Sequence, residues 1–280
     1  MQQNLLQLDG RIVIVSGAGG GGLGTAVTRM AANAGATVIG VSRGQANLDQ
    51  HLGPMASEGL SIIPVVADVE TAEGVAAVMD VVKRTKGELH GLVTIVGGGP
   101  PASWGPSTKV SRPVWESLFS TNLDSMFFIS QAVGAELKAQ GRAGSLVAIS
   151  SITGVGNMPY NVGYGAAKAA VLSVVRTMAL ELASNNIRVN AVAPGAMASP
   201  ASILPPNPEL ESKAIPMARK AAMEEVAGTV LFLLSDVAAY MTGQCLVVDG
   251  GVSLRWSHLA PDNTPLLVTN EDFLKVMRSD

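Results

Sequence analysis

A continuous apolar run, Arg11-Ile-Val-Ile-Val15, leads directly into Ser16-Gly-Ala-Gly-Gly-Gly-Gly-Leu-Gly24. A helical pattern follows, with Ala26, Val27, Met30, Ala31 and Ala34 as its apolar residues. An apolar run without polar alternation fits a strand covered on both faces, as in parallel sheets. Glycines permit positive φ and close backbone approach, and the free amides and dipole at a helix start attract an anion. Strand, glycine turn and helix in this order predict a βα unit. Its turn, with Gly17, Gly22, Leu23 and Gly24, is expected to hold the phosphates of a dinucleotide.

The same alternation continues along the chain. Further strands are expected at Thr37–Val41, Leu60–Val66, Leu89–Val96, Ser145–Ile149, Ile187–Ala193 and Gln244–Val248. Helices are expected after about Glu70, over Val114–Gln140, from Tyr164 onward and over Met223–Leu234. Alternating strands and helices predict an α/β fold, a single doubly wound, Rossmann-like parallel sheet with helices on both faces. That domain is expected to span residues 1–255. Residues 256–280 form a C-terminal extension in which Asn270–Met277 suits a short capped helix.

Composition narrows the function classes. Of 280 residues, 48% are apolar and 15% charged, enough for a substantial core and too apolar for a disordered chain. A net charge of −3 without a run of either sign gives no reason to expect nucleic acid or an anionic membrane. The N-terminus lacks the basic start and apolar run of a secretory signal, and no apolar stretch reaches the ~18 residues of a membrane span. One cysteine, Cys245, cannot staple the chain; it is expected in the core, and a cytoplasmic location fits. No metal site is expected.

Three sets of residues carry chemistry. At the end of the second strand, Ser42 and Arg43 stand where NAD-selecting folds usually place an acid; the nearest acid is Asp49. A guanidinium can grip a 2′-phosphate in two places, so NADP(H) is expected over NAD(H). Asp68 and Val69 follow the third strand, where the aspartate could also cap the next helix. Tyr164 and Lys168, four apart, share one face of a helix. A fixed cation there is expected to lower the phenol pKa towards the range useful for proton exchange, with Ser151 able to hydrogen-bond the same substrate oxygen.

With Ser151 thirteen residues before Tyr164, this constellation resembles the short-chain dehydrogenase/reductase family. The resemblance spans roughly residues 8 to 252. It implies that Tyr164 is the general acid/base, that Lys168 lowers its pKa and holds the nicotinamide ribose, and that Ser151 orients the substrate oxygen. Asn122 matches the asparagine that holds a relay water in the family. Ser42-Arg43 goes with NADP(H), and Asp68-Val69 matches the pair beside the adenine. Pro194-Gly195-Ala-Met197-Ala-Ser199 stands at the nicotinamide-binding segment, with Ser199 in place of its usual threonine. Asp249-Gly-Gly251 matches the family's closing motif.

Two departures stand out. The loop reads Gly-x4-Gly-x-Gly instead of Gly-x3-Gly-x-Gly, and Thr94-Ile-Val-Gly97 replaces Asn-Asn-Ala-Gly. The implied activity is NADP(H)-dependent interconversion of a carbonyl and a secondary alcohol. The apolar character of the segments Met197–Met217, read as a mobile lid, and Thr153–Gly163 favours an apolar or cyclic small molecule. Reduction of a 3-oxoacyl thioester is an alternative, with Lys109, Arg112, Lys138 and Arg142 as a thin docking patch. A non-catalytic dinucleotide sensor or structural subunit is another. A homotetramer is implied, pairing the helices near 114–140 and 164–184.

Overall fold

The computed structural model describes residues 5–200 and 207–255, together with Glu271 and Lys275. Seven strands form one parallel sheet: β1 (Arg11–Ser16), β2 (Thr37–Ser42), β3 (Ile62–Val66), β4 (Glu88–Thr94), β5 (Gly144–Ile149), β6 (Ile187–Pro194) and β7 (Cys245–Val248). Their spatial order is β3-β2-β1-β4-β5-β6-β7, so chain progression reverses direction across the sheet between β1 and β4. At such a switch point the connections leave in opposite directions, opening a crevice at the carboxyl ends of the strands.

Ten helices are described: α1 (Leu23–Asn33), α2 (Gln45–His51), α3 (Gly53–Ser57), α4 (Ala72–Arg84), α5 (Arg112–Phe119), α6 (Ser125–Ala139), α7 (Ile152–Val155), α8 (Val162–Leu182), α9 (Pro208–Ala214) and α10 (Met223–Leu234). The period-two geometry of a strand divides its side chains between two helix layers. In β1, Ile12 and Ile14 join the core that contains Val78 of α4, Ile129 of α6 and Val175 of α8. Val13 and Val15 point the other way, into the core with Val27 of α1 and Val230 of α10. Burial on both sides is why this strand carries no polar alternation.

Most strand expectations hold within a residue or two. The third strand is shorter than expected and begins at Ile62. The fourth ends at Thr94, before Ile95 and Val96. Cys245 is half-buried rather than fully enclosed, and its partial burial pushes the thiol pKa up.

Two expectations for helices are corrected. The helix expected over Val114–Gln140 is interrupted by a π turn, Ser120–Asp124, between α5 and α6. Such a turn inserts one residue into the helical register and re-aims the side chains it carries, here Asn122. The helix after the third strand starts at Ala72 and not near Glu70, and its cap is Thr71, whose hydroxyl accepts from the Gly74 amide at 3.0 Å. Asp68 is therefore no helix cap; it accepts from the Glu70 amide at 3.0 Å in a local turn.

Among the described residues, no helix is long and apolar enough to cross a membrane. Of the expected lid, residues 201–206 lie outside the described set, and α9 occupies part of the remainder. Apart from Glu271 and Lys275, the expected extension and its short helix also lie outside it.

Candidate active site

The glycine turn closes on itself before α1 begins. The amides of Gly17 and Ala18 both donate to the Val41 carbonyl, at 2.9 and 3.0 Å. A Cβ at Gly24 would sit 2.0 Å from the Gly17 carbonyl oxygen, so only glycine lets the first turn of α1 lie this close to the loop. The additional glycine lies in a tightly folded excursion. Gly21 has φ 67° and donates to the Thr25 hydroxyl at 3.0 Å, while the His51 ring packs so close that a Cβ there would lie 2.7 Å from it. Gly22 is the N-cap of α1 and has no capping side chain, which leaves the helix's first amides to face the crevice.

Two adjoining hollows fill that crevice, sharing Gly17, Gly20, Ile95 and Gly97. One, of 310 Å³, is walled by Ser42, Arg43, Asp68 and Val69, with Ser16 and Asn47 beside them. The other, of 320 Å³, is lined by Gly22, Leu23, Gly24, Ser151, Tyr164, Lys168, Pro194, Gly195, Met197 and Ser199. Every residue expected to touch a dinucleotide thus lies along one continuous groove. Asn47 and Met223 line it too; neither belongs to a motif, so sequence reasoning missed them. A larger hollow of 680 Å³ lies along α8 beside Met158, Pro159 and Tyr160, and contains neither Ser151 nor Tyr164.

At the inner end of the groove, β5 delivers Ser150 and Ser151. The Ser150 hydroxyl donates to the Lys168 carbonyl at 2.8 Å, pinning the strand end to α8. Ser151 caps α7, its Oγ accepting from the Thr153 amide at 3.2 Å, and Ser151 lines the same hollow as Tyr164. The Lys168 ammonium is buried and donates to the Ile149 carbonyl at 2.9 Å. Its Nζ lies 5.8 Å from the centroid of the Tyr164 ring, so the two side chains do share one face of α8.

Asn122 stands behind the groove rather than in its wall. Its Oδ1 accepts from the Gly98 amide at 2.8 Å, and its Nδ2 donates to the carbonyls of Gly98 at 2.7 Å and Leu118 at 2.9 Å. Both amide protons are therefore spent on the backbone, and what the side chain visibly does is seat the Gly97-Gly98 segment against Lys168. Where the family has Asn-Asn-Ala-Gly, the sheet end here is closed by the Ile95 amide donating to the Ser16 carbonyl at 2.9 Å. The paired hydroxyl-bearing residues Ser16 and Thr94 face each other in register, and neither hydroxyl finds a side-chain or backbone partner.

The electrostatics correct one expectation. Lys168 is expected to pull the phenol pKa down, yet burial pushes Tyr164 above its ordinary value, and the polarity of nearby Ser151 opposes this only in part. Burial also pulls the Lys168 amine from 10.5 down to about 8. Both groups sit in a site that disfavours charge, and the ammonium faces the tyrosine ring while one of its three protons is committed to the Ile149 carbonyl.

A family model described as enoyl-(acyl carrier protein) reductase matches residues 17–253. The chain belongs to the short-chain dehydrogenase/reductase family. A curated relative, the 3-oxoacyl-[acyl-carrier-protein] reductase of Thermotoga maritima, is 35% identical over 251 residues, covering 88% of this chain and 99% of that protein. A short-chain type dehydrogenase/reductase from Mycobacterium ulcerans superposes with a TM-score of 0.83 at 30% identity, covering 89% of this chain and 92% of that one. A gluconate 5-dehydrogenase from Burkholderia cenocepacia, solved with NADP and tartrate, gives 0.83 at 27% identity, covering 90% and 99%. As a short-chain dehydrogenase/reductase the protein is an oxidoreductase acting on CH–OH or C=O with a nicotinamide dinucleotide. The groove fits such a cofactor: uncapped amides at the start of α1, and glycine at position 24 where any side chain would obstruct the loop.

Proposed function

We propose that the protein reversibly reduces a small apolar ketone to a secondary alcohol with NADP(H). The observation that carries this reading is the joined groove, with Arg43 and Ser42 at one end and the Ser151–Tyr164–Lys168 set at the other. The cofactor supplies the hydride chemistry. The uncapped amides at the start of α1 hold its pyrophosphate, and Arg43 and Ser42 meet its 2′-phosphate. Asp68 and Val69 flank the adenine, while Pro194, Gly195, Met197 and Ser199 border the nicotinamide. Ser151 donates to the substrate oxygen and Tyr164 gives that oxygen its proton. Lys168 anchors the nicotinamide ribose, and Asn122 keeps Gly97 and Gly98 pressed against it. The raised phenol pKa favours the protonated tyrosine that reduction requires at neutral pH.

Arg43 is mostly exposed, so its replacement is expected to leave the fold intact. Arg43→Ala should raise KM for NADPH about tenfold or more, as loss of a charge-assisted contact does, with little change for NADH. Steady-state kinetics with both cofactors check this; equal effects on both would contradict the 2′-phosphate assignment.

Lys168 gives a pH dependence whose sign follows from linkage. Its folded pKa, about 8, lies below the ordinary 10.5, so the unfolded chain binds more protons between those values. Stability therefore rises with pH across that window, and below pH 8 the buried charge costs the fold most. Between pH 8 and 9.5 the cofactor-free protein should gain roughly 1–2 kcal/mol, a few degrees of melting temperature, relative to Lys168→Met. Parallel melting curves for the two proteins across this range test the assignment, and parallel pH profiles would contradict it.

Reduction of 3-oxoacyl thioesters is the second reading, supported by the Thermotoga maritima relative. Two residues of its docking patch are paired with carboxylates, Arg142 with Glu88 at 2.7 Å and Arg112 with Glu116 at 3.6 Å, which favours the free small molecule. A homotetramer belongs to the same proposal, supported by exposed Phe128 on α6 and Leu180 on α8. Absorbance-followed NADPH oxidation with ketones, quinones and a 3-oxoacyl thioester separates the readings; turnover of the thioester alone favours the second. NADPH binding without turnover on any of them favours a sensor.

A further inference from the structure

The Glu70 carboxylate lines neither hollow, yet it stands beside Arg43, which walls one of them. It is four-fifths buried, with 18% of its side chain exposed, and its position is fixed from three sides. Its amide donates to Asp68 at 3.0 Å. Its Oε2 accepts from the Ser120 hydroxyl at 2.8 Å, and Thr121 donates at 3.3 Å to Oε1. The fourth neighbour is Arg43, whose Nη1 stands 3.6 Å from Oε1 while 68% of its side chain is exposed. A lone exposed arginine would sample many rotamers and lose that freedom on gripping a phosphate. A fixed carboxylate reduces the loss.

We propose that Glu70 is a positioning residue for cofactor choice: it holds the Arg43 guanidinium over the ribose hollow, ready for a 2′-phosphate. The inference rests on the NADP(H) reading above and extends it to a residue outside the groove. At 3.6 Å the contact is longer than a hydrogen bond, so the guanidinium N–H groups stay available to the phosphate. Ser120 and Thr121 belong to the π turn that also carries Asn122, so the support for Arg43 comes from the turn that holds Gly98, next in the chain to the Gly97 that packs on Lys168.

The test is the dissociation constants of NADP+ and NAD+, measured by calorimetry for wild type, Glu70→Gln, Arg43→Ala and the double variant. Gln keeps the shape and an acceptor for Ser120 but removes the charge that holds Arg43. The NADP+ constant should rise about fivefold or more in Glu70→Gln, with NAD+ changed by less than about twofold, and the effect should vanish in the Arg43→Ala background. A tightening of NADP+ would make Glu70 a competing anion and overturn the proposal. Equal weakening of both cofactors, or an effect that persists without Arg43, would reduce it to a structural role. A wild type with no preference for NADP+ removes the 2′-phosphate reading and this inference together. A strong preference that Glu70→Gln leaves unmoved contradicts the inference alone. Should Glu70→Gln melt several degrees lower, Ser120→Ala replaces it; this loosens the carboxylate without discharging it, and the same rise in the NADP+ constant is expected.

Discussion

Tyr164→Phe is expected to lower kcat for NADPH-dependent ketone reduction by about 10³-fold, while NADPH binding changes by less than about threefold. The substitution removes one hydroxyl and keeps the ring that packs at the start of α8 beside the Lys168 ammonium. Under the proposed chemistry that hydroxyl is the proton source, lining the same hollow as Ser151, where burial raises the phenol pKa and keeps it protonated. Removing it leaves the carbonyl polarised by Ser151 alone. The groove's cofactor-facing residues are untouched, so fluorescence titration with NADPH should be nearly superimposable on wild type. A variant with normal turnover would reject Tyr164 as the acid; one that fails to bind NADPH would show that the hydroxyl is structural.

Gly97→Ala has the second-largest expected effect, because of where the added carbon would go. A Cβ at this position would lie 2.8 Å from the Lys168 Nζ and 2.8 Å from the Asn122 Oδ1. Neither neighbour can give way freely. Asn122 is tied to Gly98 and Leu118, and Lys168 to Ile149. Accommodating a methyl in such a packed site costs about 1–3 kcal/mol, and the ammonium must move from the place where it would meet the ribose. A fall in kcat/KM of about 10²-fold is expected, with a modest loss of melting temperature. Gly105→Ala is the control: nothing lies within 4 Å of its Cβ position, and its activity should match wild type. Full activity in Gly97→Ala would mean that the Lys168 position tolerates displacement and matters less than proposed.

Much of this molecule is written in local sequence. The apolar runs located all seven strands; in the central ones burial on both faces leaves no reason to alternate, as Ile12 through Val15 show. The edge strands β3 and β7 are apolar but only partly buried. The strand-end turns carry the groove because the sheet topology delivers every carboxyl end to one edge, so Ser42, Asp68, Gly97, Ser151 and Pro194 converge although they are far apart in the chain. What escaped is of another kind. A π turn adds one residue without disturbing the apolar pattern on either side, so the helix through Asn122 read as unbroken. Asp68 and Thr71 are both competent caps, and only the geometry of the Gly74 amide decides between them. The direction of the Tyr164 shift depends on how deeply both partners are buried, which four-residue spacing does not record. Glu70 belongs to no motif, and its partners Ser120 and Thr121 lie some 50 residues away.

The central claim is that hydride and proton meet at one carbonyl, with the proton coming from Tyr164. Product analysis after incubating the protein with a reducible ketone and NADPH carrying deuterium at both C4 positions of the nicotinamide tests it most directly. The account predicts an alcohol with deuterium on the carbinol carbon from wild type and almost none from Tyr164→Phe under the same conditions. An alcohol without deuterium, or equal labelled product from the variant, would contradict it.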